Sequence, residues 1–139
     1  MSHADRYTAH QSFARDVLTV ALAGGIAHWA RIGDVRRDPD GALLAASGVD
    51  LDDSRSAWSI DLTDVEDAVG RVINHPEDCF APDATVNPLF TGSIPVLLRA
   101  IRDQLDTTGY PLPRFYAERV DAVMGDIVVQ VAVAGEVIY

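Results

Sequence analysis

The sequence predicts an α+β fold: about four helices with a small three-stranded antiparallel sheet between the first two, in a single domain over residues 1–139. Three observations carry this reading. Two apolar stripes at helical spacing each follow a capping-box pattern. The turn sequence Asp38-Pro39-Asp40-Gly41 is flanked by apolar residues on both sides. Finally, Ile94, Leu97, Leu98, Ile101 and Leu105 form the cleanest amphipathic stripe in the chain.

Taken in order, Thr8 and Gln11 have the spacing that satisfies two free backbone donors at a helix start. Phe13, Val17, Val20 and Ala21 recur behind them at helical spacing, with Leu18 and Leu22 widening the stripe. Gly24 and Gly25 offer the conformations that end helices, which gives a helix over about 9–23. Proline presets one dihedral at Asp38–Gly41 and glycine accepts a positive one, so 27–36 is expected to pair with 42–50. A third strand follows from the alternation of Trp58, Ile60 and Leu62.

Thr63 and Glu66 form a second capping-box pattern, and Val65, Val69, Val72 and Ile73 continue it as a helix ending near Asn74, ahead of Pro76. Residues 75–92 show no period and contain three prolines, which predicts a long surface loop. Ser93 is the expected cap of the next helix, with Pro95 in its first turn and Gly109 and Pro111 stopping it. The last segment reads two ways. The β-branched run at 126–133 suits a strand and hairpin. Phe115, Val120, Val123, Ile127, Val131 and Ala134 suit a helix over about 114–134, stopped by Gly135, and this reading is favoured.

Composition narrows the chemistry. Hydrophobic residues at 48% and charged residues at 23% fit a folded domain rather than a disordered chain. No apolar run reaches the roughly 18 residues of a membrane span, so no membrane association is expected. The first ten residues lack a basic segment followed by an apolar one, so no secretion signal is expected. One cysteine, Cys79, excludes an intramolecular disulfide and fits a reducing cytoplasm. All 11 cationic residues are arginine, and 21 acids bring the net charge to −10. Without lysine, Schiff-base chemistry and a phosphate-binding P-loop are excluded. So acidic a surface repels phosphate backbones, and the small group Arg31, Arg36 and Arg37 is too thin to reverse that; direct nucleic-acid binding is not expected.

Two stretches carry a resemblance. "DVLTVALAGGIAHWARI" at 16–32 and "DIVVQVAVAGEVIY" at 126–139 resemble segments of small uncharacterised proteins of actinobacteriophages and their hosts. In those proteins a helix runs into Gly-Gly and an aromatic pair, and the C-terminal segment pairs an acid with a glutamine four residues on. This chain departs from the pattern at His28, where those proteins tend to an aromatic residue, and at Ala134, where they tend to phenylalanine. The resemblance covers about 31 of 139 residues. It implies no established activity, only a context: a phage-type or mobile-element accessory protein acting in a bacterial cytoplasm.

Four residues are the candidates for a ligand site beside the Gly24–Trp29 corner: Asp16, Trp29, Asp126 and Gln130. On a helix, Asp126 and Gln130 share a face. They either contact a ligand, the amide reading a base or sugar, or tie the last helix to that corner. Asp16 lies two turns before the glycines and either faces the same corner or is a solvated acid. His28 beside Trp29 is a general base next to a stacking platform, or an exposed neighbour of a core tryptophan. "HPEDC" places His75, Glu77, Asp78 and Cys79 together, but a metal site would need ligands from elsewhere. No metal, no cofactor and no catalytic residue is therefore assigned. No G-x-S-x-G or glycine-rich phosphate loop is present.

Three functions fit. The first, preferred, is a non-enzymatic accessory protein that binds and modulates a host protein, as an acidic decoy or against a defence system. The second is a small-ligand or nucleotide-binding protein, and the third a small hydrolase or transferase using His28. A protein partner is expected, and the apolar fraction also allows homo-oligomerisation.

Overall fold

The computed structural model describes residues 8–51 and 56–139; the segment read for a secretion signal lies largely at residues 1–7, outside the described residues. The fold is α+β. Helix α1 (Ala9–Val20) opens on the expected capping box, Thr8 accepting from the Gln11 amide and Gln11 from that of Thr8. A π-type turn, Ala21–Gly25, follows, with Gly24 at φ 153°. Strands β1 (Ala30–Arg37), β2 (Leu43–Asp50) and β3 (Ala57–Asp61) then form an antiparallel sheet in the order β1-β2-β3. The expected Asp38–Gly41 turn joins the first two: Asp38 Oδ1 accepts from the Asp40 and Ala42 amides, and Gly41 takes φ 88°.

Three helix boundaries differ from the sequence reading, each because another residue caps. Helix α2 (Leu62–Asn74) is capped by Asp61 and Asp64 in a reciprocal box, two residues ahead of the expected Thr63–Glu66 pair. Helix α3 (Pro88–Thr108) starts five residues before Ser93. Asn87 accepts from the Leu89 amide, and Pro88 occupies the first turn, where a missing N–H costs nothing. Pro95 lies inside the helix instead of opening it, and the expected loop shortens accordingly. The single helix expected over 114–134 is two, α4 (Arg114–Ala117) and α5 (Ala122–Ala134). Asp121 breaks it by taking an extended conformation and capping the Met124 amide. Gly135, left-handed at φ 84°, ends α5 as expected.

Helix α5 lies at the centre, against α1, α2, the π-type turn and β3. Met124, Ile127, Val128, Val129 and Val131 are all buried. A helix buried along most of its surface has little polar face, which is why the strand reading competes with the favoured helix reading over this segment. Two glycines permit the close packing. A Cβ on Gly125 would meet the Ala21 amide nitrogen and the Val17 carbonyl oxygen at 3.0 Å, and one on Gly25 would meet the Ala122 carbonyl oxygen at 2.7 Å. The sheet covers the other side of the core with Leu43, Ala46, Trp58 and Ile60. β1 is the outer strand, exposed beyond Ala30, with register shifts around Gly33 and between Arg36 and Arg37. Bulges and arginines on an open edge discourage strand-to-strand aggregation. No helix among the described residues is long and apolar enough to cross a membrane.

Candidate functional site

The corner singled out by the sequence is a hydrogen-bonded junction. The π-type turn delivers Trp29 into the core, where its ring stacks on Tyr139 with centroids 5.8 Å apart and planes 6° from parallel, and tilts against Trp58 at 6.4 Å. Trp29 Nε1 donates to Asp126 Oδ1 at 2.7 Å, and Gln130 Nε2 donates to the same oxygen at 3.0 Å. His28 Nε2 lies 2.8 Å from Asp126 Oδ2. An ionised carboxylate only accepts, so Nε2 carries the proton and Nδ1 is the nitrogen left open.

Gln130, 2% exposed, uses its whole amide. Its Oε1 accepts from the Ile138 and Tyr139 amides at 2.8 and 2.9 Å, and its Nε2 also donates to the Tyr139 backbone oxygen at 3.3 Å. The Tyr139 hydroxyl completes the junction by donating to Asp50 Oδ2 at 3.1 Å. The structure thus brings Trp29, Asp126 and Gln130 together, adds His28 and Tyr139, and engages the side-chain polar atoms of Trp29, Asp126 and Gln130 within the junction. Gln130 has no hydrogen-bonding capacity left for a ligand. His28 (side chain 51% exposed) is oriented by Asp126 much as a general base is oriented by an acid. Among the described residues, however, no hydroxyl or thiol hydrogen-bonds to it.

Asp16 does not join this corner. It lines a cavity of about 240 Å³ between α1 and the segment from Tyr110 to Val120. Its carboxyl makes no hydrogen bond or ion pair among the described residues, and burial pushes its pKa above 3.8 despite the nearby Arg15 charge. Elsewhere, potential ligand atoms of His75, Glu77 and Asp78 lie within 4.8 Å of one another on one exposed turn. Among the described residues no second element contributes a donor there, and Cys79 is buried, its thiol pushed up by burial and inert.

A groove of about 590 Å³ between α3 and α4 escaped the sequence reading. Phe90, Ile94, Leu97, Phe115 and Tyr116 line it, with Arg119 at its rim placing its guanidinium 5.0 Å from the Phe115 ring centroid. The solvent side of α3 continues this apolar surface: Leu89 and Val96 are 76% and 70% exposed, and Phe115 across the groove is 60% exposed. Residues 84–98 contain no charged side chain, in a chain where 23% of residues are charged. That uncharged run was the available signal. A helix start at Ser93 leaves Leu89 in a loop and hides its helical spacing to Ser93 and Val96. Comparison with protein-family models, with curated proteins and with solved structures returns no match for this chain.

Proposed function

We propose that this chain is a non-enzymatic accessory protein that binds a partner protein through the α3–α4 groove, in the phage-type cytoplasmic context that its two resemblance segments imply. The observation that carries the reading is an apolar groove, bordered by Arg119 and Asp121 and walled by an α3 segment with no charged residue over 84–98, left open on an otherwise acidic molecule. Large exposed apolar patches mark interaction surfaces. A small-molecule site buries most of its ligand, whereas Leu89, Val96 and Phe115 form an open face better matched to a macromolecule. The occupant is an amphipathic helix with basic flanks: its apolar side chains fill the groove, and a net charge of −10 steers a basic partner and repels an acidic one. The saturated hydrogen bonding of Gln130 supports a structural role for the Trp29–Asp126 corner, and against a ligand site there.

The test is site-specific photo-cross-linking in a bacterial host lysate, with the reactive group at position 96 or, as a control, at Ser59 on the exposed face of β3. One protein captured from position 96 and not from 59 is the expected result. The same products from both positions would refute the proposal.

A further inference from the structure

The cavity that Asp16 lines has no role in groove docking. α4 and the turn after it stand between the two: Phe115, Tyr116 and Arg119 face the groove, whereas Ala117 and Val120 face the cavity. At about 240 Å³ the cavity falls below the range of roughly 300–1,000 Å³ typical of drug-sized ligands, so it suits a group the size of a side chain. Its wall is largely apolar, from Val20, Pro111, Leu112 and Val120. The Thr19 hydroxyl is engaged with the Arg15 carbonyl oxygen at 2.7 Å and does not serve Asp16. A half-buried carboxylate with no donor of its own therefore faces an apolar hollow.

We infer that this cavity is a binding subsite for an alkylammonium group. Asp16 receives the charge, and Val20, Leu112 and Val120 enclose the carbon chain. An alkylammonium supplies what the carboxylate lacks, a cationic donor, and its methylenes replace water on the apolar wall. A neutral alcohol supplies only the second. The same chemistry is presented by a free alkylamine and by a lysine side chain.

The test is a methyl-resolved NMR titration of the full chain with n-butylamine, n-butanol and Nα-acetyl-lysine methylamide in 150 mM salt. Saturable shifts of Val20, Leu112 and Val120 methyls with n-butylamine are expected, weakened about tenfold or more in Asp16→Asn. A charge-matched Asp103→Asn variant should leave them unchanged. A bound cation favours the ionised carboxylate, so the Asp16 carboxyl carbon should titrate at lower pH with n-butylamine present and not with n-butanol. Tighter binding of the lysine derivative than of n-butylamine assigns the subsite to a protein side chain, and the reverse to a free amine. Equal shifts with n-butanol and n-butylamine, or full binding by Asp16→Asn, would overturn the inference.

Discussion

Replacing Asp126 with alanine removes one carboxylate and leaves three donors without their acceptor. Trp29 Nε1 and Gln130 Nε2 lie in the buried part of the junction, at 2.7 and 3.0 Å from Oδ1. A hydrogen bond to a charged group is worth about 1.5–3 kcal/mol. The half-exposed His28 contact adds about 0–1 kcal/mol. Because the donors share one acceptor, their losses do not add in full, and Gln130 keeps its bonds to the backbone of Ile138 and Tyr139. The expected cost of Asp126→Ala is therefore about 3–4 kcal/mol, a large part of the roughly 5–15 kcal/mol that holds a domain folded. Asp126→Asn keeps an acceptor for the indole and is expected to cost about 1–2 kcal/mol. Urea unfolding at pH 7, followed by tryptophan fluorescence, measures both. If Asp126→Ala unfolds within about 0.5 kcal/mol of the parent, the range of an ordinary surface change, the corner is not an anchor and the argument against a ligand role there fails.

Other substitutions probe the remaining assignments. Gly125→Ala is expected to destabilise by about 1–3 kcal/mol by pushing on α1 backbone, although alanine is the better helix former. Gly70→Ala in α2, with open space around it, should stabilise by roughly 0.5–1 kcal/mol; thermal melts moving in the same direction for both would contradict the packing account. Asp61→Ala should cost about 0.5–2 kcal/mol as a lost cap and Thr63→Ala less than about 0.5, and denaturant midpoints in the reverse order would restore Thr63 as the cap. Burial raises the Asp16 carboxyl above 3.8, so the native state binds this proton more tightly than the unfolded chain. Its contribution thus makes stability fall as pH rises from 3.8 through the raised value. Asp16→Asn is expected to remove that loss and be more stable than the parent at pH 7; a less stable variant in pH-resolved melts would show that the charge is compensated.

Local chemistry made much of the fold readable. The Thr8–Gln11 box, the Asp38–Gly41 turn and the alternation through Trp58 and Ile60 each act over a few residues, and each stands where expected. What failed was choosing between nearby caps. Asp61 and Asn87 compete with Thr63 and Ser93, and tertiary packing decides among them. α5 is a helix, as the sequence favoured, but its extensive burial from Met124 to Val131 weakens the periodicity that separates a helix from a strand. Three of the four candidate site residues do meet, but as mutual partners; the fourth, Asp16, points the chemistry elsewhere. The groove went unseen because α3 and α4 come together only in three dimensions.

The most direct test of the α3–α4 face as the docking surface is the affinity of the purified cross-linked partner for the parent chain, Val96→Glu and Ser59→Glu. Val96 is exposed, so the substitution leaves the core untouched while placing a charge on the apolar face. Binding weakened about tenfold or more by Val96→Glu, as expected from desolvating an unpaired charge in an interface, and unchanged by Ser59→Glu is the predicted result. Equal affinity for all three chains would contradict the assignment of this face as the docking surface.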